Sequence, residues 1–155
     1  MIHIIGVDPG PCTGIAILHW DSTAAAGAYT WHGYQCDAGS ARSLLEMLLN
    51  QWDGEWTAGE IEHFVHGNLP NSPTTVRLEN ELAETAEDCG LKLARCPMAT
   101  VKPWATDKRM TAAGAWATIP AKMVDARAAS RHCLYRAVNG GGVPDPLSRK
   151  GKVAA

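Results

Sequence analysis

The stretch from Ile4 to Leu18, IIGVDPGPCTGIAIL, constrains the fold more than any other part of the chain. Its β-branched first residues lead directly into Asp8. The Pro9-Gly10-Pro11 segment then requires a tight turn, because proline fixes φ and glycine accepts positive φ. A second apolar run begins at Thr13, so the stretch predicts a hairpin of two buried strands with one carboxylate at the end of the first.

The position of Asp8 suggests a bound cation. A carboxylate at the end of an apolar strand loses hydration, and a divalent cation is the usual compensation for its charge. The alternative is that Asp8 only stabilises the turn.

Length and cysteine content limit the class of protein. A chain of 155 residues suits one domain with a substantial core, and no stretch is long and apolar enough to span a membrane. The N-terminus shows no signal peptide. Five cysteines form no CxxC motif, which predicts reduced thiols in a cytosolic protein.

The net charge of −2 conceals two halves of opposite sign. Residues 1–91 hold two arginines against thirteen acids, a formal charge of −11, whereas residues 92–155 hold twelve lysines and arginines against three aspartates, a formal charge of +9. This asymmetry favours a polyanionic partner for the C-terminal half. The alternative is an ordinary surface whose two faces balance each other.

Hydrophobic periodicity and capping residues predict seven more elements after the hairpin. In chain order they are a strand over 27–34, a helix that starts near 37–40, a strand over 60–65, a helix from a Ser72 cap to Cys89, a strand over 91–96, a helix over 107–116 and a helix from Pro120 to the glycines at 140–142. The order β-β-β-α-β-α-β-α-α predicts an α/β fold. Its mixed five-stranded sheet has strands one to three antiparallel, strands four and five parallel, and helices on its faces.

Three acids stand out by position: Asp8 on the first strand, Glu62 on the fourth and Asp125 in the last helix. If the first and fourth strands are neighbours, the three carboxylates converge, and they would repel one another without bound cations. Oxygen ligands favour Mg²⁺ or Mn²⁺, and a pair of such ions suits phosphodiester hydrolysis. Alternatively, Glu62 is a solvated strand acid and Asp125 a helix-surface acid.

Four motifs in order resemble those of RuvC-type Holliday junction resolvases. They are the GVDPG opening followed by Thr13-Gly14, Glu62 in EIEHF, Val101-Lys102 followed by Asp107-Lys108, and Asp125-Ala126 with His132 seven residues later. The TDKR segment and the ending VPDPLS are most similar to the short RuvC-like resolvases of phages. The resemblance spans nearly the whole chain.

The resemblance implies a ribonuclease-H-like fold and a homodimer that cuts branched DNA such as four-way junctions. It implies that Asp8, Glu62 and Asp125 bind Mg²⁺, with two ions in each active site and Mn²⁺ as a substitute. The helix from Ser72 would supply much of the dimer interface; the alternative is that its acids form a purely solvated face.

The resemblance also assigns roles to basic and aromatic residues. Lys102, Lys108 and Arg109 would bind DNA, with Lys108 close enough to the scissile phosphate to act in catalysis. Phe64 would stack on an unpaired base at the junction. The alternatives are solvated lysines and a core phenylalanine.

Lys122 departs from the family pattern, which usually has Asp or His three residues before the last aspartate. In a helix from Pro120, Lys122 would lie one turn from Asp125 and on the same face. A charged lysine cannot ligate a metal, so Lys122 either takes a catalytic role by holding Asp125 or a phosphate, or weakens activity. His132, two turns beyond Asp125, is expected to pack in the core.

We therefore predict a metal-dependent, structure-selective DNA endonuclease. The expected domain covers residues 1–142, followed by a flexible basic tail over 143–155. We expect it in the cytoplasm of a bacterial cell or phage-infected host, with no membrane association and no nucleotide cofactor. The alternatives are a non-catalytic module that binds branched DNA and, less favoured, a phosphate-binding protein of the actin-like or sugar-kinase type.

Overall fold

The computed structural model describes residues 1–24, 28–52, 55–64 and 73–148. Its strands are β1 (Ile2–Asp8), β2 (Cys12–Asp21), β3 (Ala28–Asp37), β4 (Trp56–Glu62) and β5 (Ala94–Cys96). Its helices are α1 (Ala38–Gln51), α2 (Pro73–Asp88), α3 (Met98–Trp104), α4 (Asp107–Ala112), α5 (Ala115–Thr118) and α6 (Val124–Val138). None of the helices in these ranges is both long and apolar enough to cross a membrane.

The described strands form one sheet in the order β3-β2-β1-β4-β5. β1 pairs antiparallel with β2, and β2 pairs antiparallel with β3. β4 lies parallel to β1, and β5 lies parallel to β4. These pairings confirm the predicted mixed sheet. Because β1 and β4 run side by side in the same direction, their C-terminal ends meet at one edge of the sheet.

Alternation of side chains along the strands divides the core into two layers. One face of the sheet packs against α3, α4, α5 and α6 through residues that include Ile4, Ala16 and Leu18. The other face packs against α1 and α2 through residues that include Ile5, Val7, Ile15 and Ile17. The sheet is therefore covered on both faces, which explains the nearly continuous apolar runs of β1 and β2.

The helix α6 lies directly on β1 and β2 because two strand residues lack side chains. A Cβ atom at Gly6 would overlap the backbone of Ala129, and a Cβ atom at Gly14 would overlap the backbone of Asp125. This close approach brings the N-terminal turn of α6 to the edge of the sheet at which β1 ends.

Several predicted boundaries were wrong. β4 begins earlier than expected and ends at Glu62, and β5 is limited to Ala94–Cys96. The segment from Met98 to Trp104 forms a helix that was not predicted from the sequence, because Pro103 lies inside it. The single helix predicted over 107–116 is two helices, separated at Gly114, whose φ of 78° ends the first.

The last helix begins at Val124 rather than at Pro120. Residues 120–123 form a turn in which the Met123 amide donates to the Pro120 carbonyl at 3.0 Å. Lys122 therefore precedes the helix, and its predicted place one helical turn from Asp125 was wrong.

Residues 143–148, which we assigned to the tail, pack against the domain. Val143 is buried, the Tyr29 hydroxyl donates to the Pro144 carbonyl at 2.9 Å, and Asp145 forms an ion pair with Arg109. Residues 149–155 lie outside the described residues, as does the predicted Ser72 cap.

Candidate active site

Asp8 and Glu62 end neighbouring strands. Asp8 is the last residue of β1 and Glu62 the last residue of β4, and the parallel register pairs Val7 with Ile61. Asp8 and Glu62, which follow these two residues, therefore lie side by side on the same face of the sheet. That face is the one covered by α6, since it also carries Ile4 and Gly6.

Asp125 is the second residue of α6 and lies at the same edge of the sheet. Asp8 is the cross-strand partner of Gly14, and Gly14 lies directly under the backbone of Asp125. The side chain of Gln35 holds this end of the helix, because its Oε1 accepts hydrogen bonds from the backbone N–H groups of Asp125 and Ala126 at 2.8 and 3.1 Å.

The electrostatics show that Glu62 and Asp125 both act on Asp8. Burial, a side-chain hydrogen bond with Glu62, and the negative charges of Glu62 and Asp125 raise the pKa of Asp8 to about 9. Asp8 therefore holds a proton at neutral pH when no cation is nearby. A bound cation would reduce the repulsion among these negatively charged carboxylates.

Cys12 also touches this cluster. A hydrogen bond with Asp125, followed by burial and the negative charge of Asp125, raises the pKa of the Cys12 thiol to about 11. The thiol is therefore protonated at neutral pH and acts as a donor to the carboxylate.

The donor set fits a hard divalent cation. Three carboxylates supply only oxygen ligands, which Mg²⁺ and Mn²⁺ prefer. Within the described ranges, no three side chains of His, Cys, Asp or Glu already converge as a ligand set. The hydrogen bond between Asp8 and Glu62 occupies oxygen atoms that a cation would need, so binding would displace their shared proton.

A buried, hydrogen-bonded pair of side chains lies next to the cluster. Glu60 precedes Glu62 by two residues and faces α6, where its Oε1 lies 2.8 Å from Nδ1 of His132. Glu60 is 2 % exposed and His132 is fully buried. The expectation that His132 packs in the core is confirmed, and the pair ties the middle of α6 to β4.

The predicted DNA-binding residues are placed differently from one another. Lys102 on α3 and Lys108 on α4 are exposed, as is Lys122 in the turn before α6. Phe64 is half-buried just beyond the end of β4. By contrast, the Arg109 guanidinium binds both carboxylate oxygens of Asp145, donates to the Trp104 carbonyl and stacks on the Trp104 ring. The Arg109 guanidinium thus has a structural role, and its contacts within the protein leave it poorly placed to bind DNA.

A pocket of about 290 Å³ lies along α6 and is lined by three basic residues and one acid, Asp107. Its lining includes Lys102, Trp116, Arg127 and Arg131. Both arginines lie over the Trp116 ring, at 4.4 and 5.1 Å from its centroid. This pocket was not predicted from the sequence because its members come from four helices, although the excess of basic residues in the C-terminal half had indicated a polyanion-binding surface.

No protein-family model and no curated protein matches the sequence. Solved structures do match. RuvC from Thermus thermophilus superposes with a TM-score of 0.65 at 15 % sequence identity, over 90 % of this chain and 97 % of that chain. The fold is that of RuvC.

Two further structures agree with the RuvC fold. Thermus thermophilus RuvC in complex with a Holliday junction substrate has a TM-score of 0.63 at 14 % identity, over 90 % of this chain and 97 % of that chain. The Fowlpox virus resolvase in complex with Holliday junction DNA has a TM-score of 0.54 at 14 % identity, over 86 % and 95 % of the two chains. The predicted RuvC-like architecture is thus confirmed, and at these identities the likeness concerns the fold.

Proposed function

We propose that the chain is a metal-dependent, structure-selective endonuclease that cuts four-way junctions or related branched DNA. The observation that carries the proposal is the placement of Asp8, Glu62 and Asp125 at one edge of a RuvC-type sheet, close enough for Glu62 and Asp125 to raise the pKa of Asp8. The solved resolvases of similar fold are bound to Holliday junction DNA in two cases, which supports the choice of substrate.

Asp8, Glu62 and Asp125 would together hold Mg²⁺, or Mn²⁺ in its place, with two ions in each site. The ions would supply an activated water and stabilise the leaving oxygen of the phosphodiester. The chain's own contribution is to hold three carboxylates in a fixed arrangement. The partial burial of Asp8 and its hydrogen bond with Glu62 would hold these oxygens side by side for a cation.

Exposed basic residues of the C-terminal half would bind the DNA backbone. Lys102, Lys108 and Lys122 are exposed, and we propose that they contact phosphates on either side of the scissile bond. Such contacts position the strand and supply most of the affinity, without reading sequence. We also propose that Phe64 stacks on an unpaired base and that the protein acts as a homodimer, since two symmetric cuts in a four-way junction need two active sites.

The decisive test is the Asp8→Asn variant in an assay of four-way junction cleavage with Mg²⁺. Removing one carboxylate should reduce cleavage to background while junction binding, measured by gel shift in Ca²⁺, stays within about threefold of wild type. Asp21→Asn is the matched control, because Asp21 lies at the opposite end of the same sheet.

Two results would contradict the proposal. Cleavage by Asp8→Asn at the wild-type rate would remove the site assignment. Tight junction binding by wild type without any cleavage would instead favour the non-catalytic module.

A further inference from the structure

The N-terminus of α6 has no cap from its own sequence. The N-cap residue, Met123, makes no side-chain hydrogen bond to the first turn. The α1 helix, by contrast, is capped locally, because Asp37 Oδ1 accepts from the Ser40 amide at 3.0 Å. A helix of 15 residues that begins without a cap leaves its first amides unsatisfied unless a distant group binds them.

Gln35 is that distant group. Its Oε1 accepts from the amides of Asp125 and Ala126, across 90 and 91 residues of sequence. Both amides belong to the first turn of α6, and one of them is the amide of a candidate metal ligand. A neutral amide oxygen satisfies these donors without adding negative charge to the carboxylate cluster.

The strand register fixes Gln35 in this place. Gln35 on β3 is the cross-strand partner of Gly14 on β2, and Gly14 in turn pairs with Asp8 on β1. Gly14 lies under the Asp125 carbonyl, and Gln35 binds the Asp125 amide. Gly14 therefore contacts the backbone carbonyl of Asp125, and its neighbour Gln35 binds the backbone amide of the same residue.

We propose that Gln35 is a positioning residue that sets the Asp125 carboxylate against Asp8 for metal binding. Gln35 acts through the backbone of Asp125 and touches neither metal nor DNA in this role. The inference rests on the proposed function, since it assigns Gln35 to the same metal site. Without the hydrogen bond, the first turn of α6 would fray, and Asp125 would lose its fixed distance from Asp8.

The experiment compares Mn²⁺ binding by wild type, Gln35→Met and Gln35→Glu, measured as the loss of the free Mn²⁺ signal in electron paramagnetic resonance. Gln35→Met has a similar length but no amide oxygen, and we expect about tenfold weaker binding. Gln35→Glu keeps an acceptor and should bind Mn²⁺ at least as tightly as wild type. The Mg²⁺ concentration at half-maximal junction cleavage should rise by the same factor in Gln35→Met, with the rate at saturating Mg²⁺ nearly unchanged.

Asp37→Ala is the matched control for a general loss of stability. It removes the cap of α1, two residues from Gln35 on the same strand, and should lower the melting temperature without weakening Mn²⁺ binding. Gln35→Asn shortens the side chain by one methylene, which moves the amide oxygen away from the amides of α6. It serves as the second variant if Gln35→Met does not fold. We expect weaker Mn²⁺ binding from it as well.

Three outcomes overturn the inference. Wild-type Mn²⁺ affinity in Gln35→Met and Gln35→Asn would remove the positioning role, and so would equal weakening in Asp37→Ala. An absence of Mn²⁺ binding by wild type would overturn both the inference and the proposed metal site. Wild-type Mn²⁺ binding without junction cleavage would count against the proposed endonuclease while leaving the role of Gln35 supported by the binding data.

Discussion

Gly14 lies in direct contact with the backbone carbonyl of Asp125, with no room between them for a methyl group. Because Gly14 is also the cross-strand partner of Asp8, this contact sets how near the last helix can bring its carboxylate to the first strand. A residue without a side chain thus determines the geometry of a site made of side chains.

A Gly14→Ala substitution should therefore impair both stability and metal binding. The added Cβ would overlap backbone atoms, which cannot rotate away, so we expect a loss of about 3 kcal/mol in the free energy of unfolding. Urea denaturation would measure it. Gly10→Ala is the comparison, because a Cβ there would lie 3.2 Å from its nearest neighbour and should cost far less. Equal losses in the two variants would contradict the close packing of α6 on β2.

Lys102 and Lys108 should each contribute to the salt dependence of junction binding. Replacing either by Gln should lower the slope of log affinity against log salt by about one unit for each phosphate that the side chain neutralises. Fluorescence anisotropy with a labelled junction at several salt concentrations would measure the slope. Lys92→Gln is the control, since Lys92 is exposed just before β5 and lies outside the pocket along α6. A slope unchanged in both test variants would leave the lysines without a role in binding.

Removing one member of the buried Glu60–His132 pair should cost more stability than removing both, as is typical of buried polar pairs. His132→Leu leaves the Glu60 carboxylate buried without its partner and should cost about 3–5 kcal/mol of stability. The double variant Glu60→Leu/His132→Leu removes both polar groups and should regain a large part of that loss. Chemical denaturation of the two variants would measure both changes. A double variant no more stable than the single one would show that the pair itself is strongly stabilising.

Three histidines lie at the end of the sheet away from Asp8, and we expect them to lower stability in acid. His3, His19 and His32 lie on adjacent strands, with the His3 and His19 Nδ1 atoms in contact and the His19 and His32 ring centroids 5.3 Å apart. Burial, together with His3 and His32, lowers the pKa of His19 from 6.5 to about 4. The unfolded chain therefore binds a proton at His19 before the folded chain does, and stability falls as the pH drops from 6.5 towards 4.

His19→Gln removes the imidazole whose pKa differs between the folded and unfolded chain. Its melting temperature should decline less steeply than that of wild type between pH 6.5 and 4, as measured by thermal unfolding at a series of pH values. Parallel curves for the two proteins would show that His19 is protonated as readily in the folded chain as in the unfolded one.

The sequence predicted those parts of the site that depend on neighbours along the chain. Asp8 could be found because a proline-containing turn follows an apolar strand, and Glu62 because it lies on the predicted fourth strand and matches a family motif. Asp125 was assigned from its motif, although the start of its helix was misplaced at Pro120. The mixed sheet followed from the order of the elements, and the structure confirms it.

The rest depends on how the elements pack against one another. Nothing in the local sequence marks Gln35 as the cap of a helix 90 residues away, because that role requires the register of β3 with β2 and the position of α6 above both. Arg109 was assigned to DNA from the resemblance of the TDKR segment to that of the phage resolvases. Its pairing with Asp145 depends on residues 143–148 folding back onto α4, which periodicity does not predict.

The three carboxylates come from elements that are far apart along the chain, and Asp125 is brought to Asp8 only where α6 rests on Gly6 and Gly14. During synthesis, the ribosome releases Asp8 and Glu62 well before the helix that completes the cluster. A nascent or truncated chain would therefore carry two of the three ligands and could not assemble the proposed cutting centre. For the proposed endonuclease, this order of assembly would couple DNA cleavage to completion of the native fold.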